Sequence, residues 1–561
     1  MIKIKKIYLL LSVLTLLAIL SNNFLSAQEI PPYHKSGIKY DYRTLILEEP
    51  EHNFDVLHYR FDWKIDFSSS FIKGKAEVRC RSFINNLNKI TLHLNDNMKV
   101  DKITQNQMTL DFIHHNNQID IYLVEPFYQN EEFTVEIRYH GYPSEGLNFS
   151  YHQSQPIIWS LDEPVSARAW FPCYDLPSDK ATVELRITIP NNMIAASNGT
   201  LVNFISNSDN TVTYHWEENY PIATYLISVA ATNYEVFSDY YYSQNNSMEV
   251  TYFVYPEDFH LAKKDFSVTV PMIEFYSQVF GEYPFIKEKY GMAEIPGGTA
   301  MEHQTCTSYP ESLITGNHNY DWIIAHELAH QWWGDLVTLL DWADIWLNEG
   351  FATYSDALWQ ENLTGFNGLK NRMAEFKNIY FNRHQGPEHP IYNPPEGHLF
   401  CSIEYEKPAW VLHMLRHIVG DKNFWKILRQ YAQIYAYSNA STKDFQHICE
   451  QIFGSNLDWF FNQWIYQPGY PKYQFGWYYL GQNKVRIIIN QTQENFSLFI
   501  MPVDLVIKTF SGEIKKTVWV DEKYNVFDFS LEEKPIDILF DPDDWILYQV
   551  EPYQKKGKSR R

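Results

Sequence analysis

The chain has 561 residues, 45% of them hydrophobic and 20% charged, with a formal net charge of −22. That length exceeds one ordinary domain, and the composition excludes a disordered chain. Strong acidity repels phosphate backbones, so nucleic acid is not expected as a partner.

At the start, Lys3, Lys5 and Lys6 precede the apolar run Ile7–Leu20, and "SNNFLSAQ" then offers a cut after Ala27. The run is short of the roughly 20 residues a membrane span needs. It reads as a cleaved secretory signal over 1–27, with an uncleaved anchor as the alternative. A secreted, periplasmic or extracellular protein with no stable membrane span in its mature chain follows. Residues 28–254 hold "HYRFDWKIDF", "KITLHL", "QIDIYLV", "FTVEIRYHG" and "ATVELRITIP", which alternate apolar and polar residues at period two. They predict an all-β domain. From 255 the period becomes helical, in "NYDWIIAHELAHQWWG", "WLNEGFATYSDALWQENL", "PAWVLHMLRHIVG" and "STKDFQHICEQIFG". A mainly α domain is expected over 255–470, with the Pro/Gly-rich "RHQGPEHPIYNPPEGH" as a loop at a cleft rim. Strands return over 471–552 as a small β-sandwich. A basic tail, 553–561, closes the chain. The fold class is therefore multidomain α+β. The five cysteines show no disulfide framework and no thiolate zinc pattern. They read mostly as small buried hydrophobes, with one bridging pair left open.

"HELAHQWWGD" begins at His326. On a helix, His326 and His330 project from one face one turn apart, a spacing that lets two imidazoles reach one tetrahedral metal. Glu327 is then placed to act as general base on a metal-bound water. A hydrolytic zinc site takes three protein ligands and leaves one position open. Glu349 of "WLNEGFATY", with 18 residues between it and His330, is the candidate third ligand. Asp335 and Asp344 are candidate acceptors that would orient the histidines.

Together these segments resemble the zinc aminopeptidase family with a thermolysin-like catalytic domain, which includes aminopeptidase N and leukotriene hydrolase. "GGTAMEHQT" resembles that family's Gly-x-Met-Glu-Asn exopeptidase motif, with Thr299 and His303 departing from it. The resemblance implies that Gly298, Ala300, Met301 and Glu302 bind substrate. Glu302 would hold the free α-ammonium of a peptide through a charge-assisted hydrogen bond. "EYEKPAWVLHML" resembles the segment carrying the family's transition-state tyrosine, which implies that role for Tyr405. "DEPVSARAWFPCYDLPSDKATVELRITIP" resembles the N-terminal domain and implies that Glu163 helps bind the substrate amine. The expected cofactor is one Zn²⁺ per chain, held by His326, His330 and Glu349, and the expected substrates are peptides with a free N-terminus. The competing readings are a thermolysin-like endopeptidase, an epoxide hydrolase and a non-catalytic scaffold. The first has no use for an amine anchor. The second goes with a helical C-terminal domain that has no counterpart here. The third need not keep His326, Glu327, His330, Glu349, Glu302 and Tyr405 together.

Overall fold

A computed structural model of the chain describes residues 51–243, 246–384 and 386–553. The expected signal over 1–27 and residues 554–561 of the expected tail lie outside them.

"ATVELRITIP" forms the strand Ala181–Pro190, whose residues alternate between buried and half-buried along its whole length. Successive side chains point to opposite faces of a pleated strand, so the period-two pattern puts Val183, Leu185, Ile187 and Ile189 into one core. This strand sits inside an eight-stranded sheet, between Thr211–Ile222 and Phe54–Asp66. Its pairing with Phe54–Asp66 is parallel, with Tyr59 beside Val183. The remaining pairings of the sheet are antiparallel. Two smaller sheets, of four and three strands, complete this β-rich region.

A further four-stranded sheet carries the chain toward the site. Its order is Glu235–Tyr242, Ser247–Val254, Lys289–Ile295 and Cys306–Pro310, and the last two pairings are parallel. The sheet thus joins chain from both sides of residue 254. Tyr241, Met248, Val250 and Tyr252 from its first half pack into the core of the helical region.

That region contains α1 (Phe259–Asp265), α2 (Thr269–Phe280), α3 (Asp321–Ala329), α4 (Trp346–Thr364), α5 (Phe366–Arg383), α6 (Glu406–Val419), α7 (Asp421–Ile434), α8 (Thr442–Phe453) and α9 (Asp458–Trp464). The first two of these helices are parted by a 3-10 turn at Phe266–Val268. The ends of α8 show why "STKDFQHICEQIFG" is a helix. Ser441 and Asp444 form a reciprocal capping box, and Gly454 stops the helix in the left-handed conformation at φ 80°. The Tyr276 hydroxyl of α2 donates to the carbonyls of Ala325 at 3.1 Å and Ser355 at 3.0 Å, tying α2, α3 and α4 together.

Two C-terminal sheets follow, one of four strands (Tyr524–Ser530, Lys484–Gln491, Lys472–Gly481, Gln549–Pro552) and one of three (Glu513–Val520, Met501–Lys508, Asp537–Phe540). Val485, Ile487, Val503 and Leu505 from these sheets join the core of the helical region. The expected order of β-rich, helical and β segments is borne out. All five cysteines are free, so the bridging pair left open by the sequence does not form. No helix among the described residues is long and apolar enough to cross a membrane.

Candidate metal centre

Every residue of α3 from Ile323 to Ala329 is buried. His326 lies inside the helix and His330 is its C-cap residue, yet the His330 N–H still bonds to the His326 carbonyl at 3.2 Å. The two rings therefore stay one turn apart on one face. Glu349, in the first turn of α4, completes the cluster. His326 Nε2 and His330 Nε2 are 3.0 Å apart, and Glu349 Oε2 lies 3.3 Å from the first and 3.4 Å from the second. Ligands on a tetrahedral zinc at ~2.0–2.1 Å stand about 3.3 Å from one another, so the three atoms match such an ion.

The tautomer matches too. His330 Nδ1 donates to the Trp333 carbonyl at 2.9 Å, which leaves the Nε2 lone pair for a metal. The acceptor at this nitrogen is thus a backbone carbonyl and neither Asp335 nor Asp344. Asp335 accepts from Gln331 Nε2 at 2.7 Å, and Asp344 accepts from the Thr442 amide at 2.9 Å, on the first residue of α8. Gly334 makes the turn that brings the Trp333 carbonyl to the ring. Its φ is 135°, and a Cβ there would come within 3.4 Å of His330 Nδ1.

The site is rich in buried carboxyl groups. Glu163, Glu302, Glu327, Glu349 and Asp335 are all buried. Burial works against a charge on either imidazole. It prevails at His326, whose pKa falls to about 4. At His330 burial is outweighed by the carboxylates of Glu302, Glu349 and Glu327, which together lift the pKa to about 10. Ionised carboxylates crowded together in the interior are costly, and a divalent cation held by His326, His330 and Glu349 would answer their charge. On distances, tautomer and charge, the residues fit zinc.

Glu327, Glu302, Glu163 and Tyr405 gather around this point. Glu327, Glu302 and His330 bring ligand atoms within 4.8 Å of one another, and so do Glu163, Glu302 and Glu349. The β-rich region thus delivers Glu163 to the carboxylate that follows Met301. The Glu163 loop is anchored by its neighbours. Trp170 Nε1 donates to Asp162 Oδ1 at 2.9 Å, and Arg168 Nε donates to Asp175 Oδ2 at 2.9 Å. Tyr405 is buried, with its ring parallel to His326 at a centroid distance of 6.1 Å. Burial, with the charges of Glu349 and Glu163, keeps its phenol protonated by raising its pKa well above the usual value. Gly298, at φ 91°, and the buried Ala300 lie in the segment leading to Met301. Met301 exchanges backbone hydrogen bonds with Ser308 at 3.0 and 2.9 Å, which fixes the Glu302 backbone beside the strand Cys306–Pro310.

Two positioning residues were not singled out from the sequence. Gln331 holds the exopeptidase-like segment against α3. Its Nε2 donates to the Glu302 carbonyl at 3.3 Å, and its Oε1 accepts from the Thr305 amide at 3.0 Å. It stands directly after His330, so the motif itself was the available signal. Thr305 has a φ of 60°, a strained value for a β-branched residue that costs about 1–3 kcal/mol. Its hydroxyl donates to Glu218 Oε2 at 2.8 Å, and its carbonyl accepts from Lys289 Nζ at 2.8 Å, so the surroundings hold it there.

The His326, His330 and Glu349 cluster, in a helical region flanked by β-rich regions, has the ligand set of a thermolysin-type zinc centre. The model of the peptidase family M1 domain matches residues 265–464, and that of the peptidase M1 N-terminal domain matches residues 55–226. The chain belongs to the peptidase M1 family. Aminopeptidase M1-D of Oryza sativa subsp. japonica is 32% identical over 327 residues, which are 55% of this chain and 37% of the rice protein. An M1 zinc metallopeptidase from Deinococcus radiodurans superimposes with a TM-score of 0.66 at 24% identity, covering 75% of this chain and 95% of that one. Aminopeptidase A of Legionella pneumophila, solved with aspartic acid, gives a TM-score of 0.79 at 18% identity, over 91% of this chain and 61% of its own. The chain spans about half or less of the length of the curated relatives it matches.

Proposed function

We propose that this chain is a zinc-dependent aminopeptidase that removes the N-terminal residue of peptides. The observation that carries the reading is the meeting of Glu163 and Glu302 with Glu349, their carboxylate oxygens within 4.8 Å of one another. An endopeptidase needs a metal cluster but has no use for further buried carboxylates on the amine side of it.

His326, His330 and Glu349 would hold one zinc at this centre, and when bound it supplies a Lewis acid that polarises the scissile carbonyl and acidifies the attacking water. Glu302 and Glu163 bind the substrate α-ammonium and set the register, so that one residue reaches past the scissile bond. Glu327 takes the proton of the attacking water and returns it to the leaving amine. Tyr405, held neutral by its surroundings, donates a hydrogen bond to the oxyanion as the carbonyl becomes tetrahedral. Gln331 keeps the Glu302 segment at a fixed height over α3.

We assign residues 28–254 to the N-terminal domain, 255–470 to the catalytic domain and 471–552 to the C-terminal sandwich. We read 1–27 as a signal that directs the chain to a secreted, periplasmic or extracellular location. The test is an assay of the mature chain on peptides with free and with N-acetylated termini. Release of single residues from free termini, lost on zinc chelation and regained with zinc, is the expected result. Internal cleavage of both peptide sets would point to an endopeptidase instead.

A further inference from the structure

The Pro/Gly-rich loop between α5 and α6, expected from the sequence at a cleft rim, carries chemistry that the proposed reaction does not use. His389 lies in that loop, and Cys401 and Glu404 lie between it and α6. Each of the three offers a ligand atom within 4.8 Å of the other two. His389 and Glu404 are buried, while Cys401 is half-buried.

The local geometry brings an imidazole nitrogen and a thiol sulfur to metal-ligand spacing. His389 Nδ1 donates to the Pro390 carbonyl at 2.9 Å, which leaves the Nε2 lone pair on the side of Cys401. Nε2 and Cys401 Sγ are 3.8 Å apart. A tetrahedral zinc holds an imidazole nitrogen and a thiolate sulfur about 3.6 Å apart. The Cys401 thiol donates to Glu404 Oε2 at 2.9 Å, which sets one carboxylate oxygen beside the sulfur, while Oε1 lies 3.7 Å from His389 Nδ1, the ring nitrogen that is hydrogen-bonded to Pro390. Lys407, whose charge reaches Glu404, is engaged by Glu388 at 3.4 Å and by the face of Tyr380 at 5.7 Å. The ring of His398 stands edge-on to His389 at 5.4 Å, so a further imidazole is at hand.

We propose that His389 Nε2, Cys401 Sγ and a Glu404 carboxylate oxygen form a second cation site, for a divalent ion of the zinc class, separate from the His326–His330–Glu349 centre. A thiolate with an imidazole and one carboxylate selects zinc-like ions over magnesium or calcium, which prefer all-oxygen sites. On binding, the S–H bond breaks, its proton passes to solvent and a sulfur–metal bond forms, with no change of oxidation state. The ion clamps the rim loop to the turn that opens α6. In a chain without disulfides it takes the place of a covalent staple. Glu404 and Tyr405 are consecutive, so the clamp also fixes the backbone that carries Tyr405. That consequence rests on the function proposed above, whereas the site itself does not.

Cobalt(II) tests the site in the full chain. A cysteine-ligated cobalt ion gives a thiolate-to-metal charge-transfer band in the near ultraviolet. The His326–His330–Glu349 centre has no sulfur, and Cys80, Cys173, Cys306 and Cys449 are wholly buried. Metal-stripped protein titrated with cobalt is expected to bind two ions per chain, one of which brings the band. Cys401→Ser is expected to lose the band and bind one ion. His389→Ala is expected to need about tenfold more cobalt, or higher, for half of the band. Saturation of the wild type at one ion with no band, or a band that survives Cys401→Ser, overturns the proposal.

Discussion

The strand Ala181–Pro190 and the helix α3 are segments of 10 and 9 residues, each set deep in one of the two cores. In the strand, burial follows the sequence pattern. Apolar residues point inward, Glu184 and Arg186 stay half-exposed and pair at 2.8 Å, and hydrophobic transfer accounts for the arrangement. In α3, His326 and Glu327 are buried alongside Ile324 and Leu328, with His330 capping the same helix. Burying charged groups in this way lowers stability unless something pairs with them. The strand teaches what packing alone produces, and the helix shows where packing has yielded to chemistry.

That contrast can be broken by experiment, and the largest effect is expected at Glu327. Glu327→Gln should lower kcat by about 10³–10⁴-fold while leaving the unfolding midpoint unchanged or raised, because it removes a proton acceptor and a buried charge. Steady-state kinetics and urea unfolding on the same preparation would show both. If α3 were ordinary core, activity and stability would fall together. Zinc removal comes next. With zinc at 100 to 1,000 times its dissociation constant, chelation should cost about 3–4 kcal/mol of stability, read as a drop in Tm that vanishes in His326→Ala. On the oxyanion role proposed for its hydroxyl, Tyr405→Phe should lower kcat about 10²–10³-fold with little change in KM. At the low end, Ile187→Val in the strand should cost about 0.5–1.5 kcal/mol in urea unfolding and leave kcat/KM of the folded enzyme unchanged.

The same contrast explains what the sequence discloses. Period-two strands are legible because each residue's face follows from its neighbour, and the helices of residues 259–464 are legible from their period and caps. The residues drawn into the metal centre are legible because His326, Glu327 and His330 are fixed by helix geometry, and "WLNEGFATY" and "GGTAMEHQT" are short local patterns. Contacts between distant segments were not legible. Nothing near Ser247–Val254 says that it will pair in parallel with Lys289–Ile295, or that its side chains will join the helical core. The partner of His330 Nδ1 is a main-chain carbonyl, which leaves no mark in side-chain identity, so the nearby aspartates drew attention instead. His389, Cys401 and Glu404 follow no recurrent spacing and meet only because the rim loop folds back on the start of α6.

Glu302, beside the metal cluster, is proposed to read a free amino terminus. The direct measurement is kcat/KM on one aminoacyl amide and its N-acetyl derivative, for wild type and for Glu302→Gln. A charge-assisted hydrogen bond of this kind contributes about 1.5–3 kcal/mol. Wild type is expected to cleave the free amine only, and Glu302→Gln to lose about 10–150-fold on that substrate, with circular dichroism and zinc content unchanged. Equal cleavage of both substrates by wild type, or an unaltered free-amine rate in Glu302→Gln, would contradict that role.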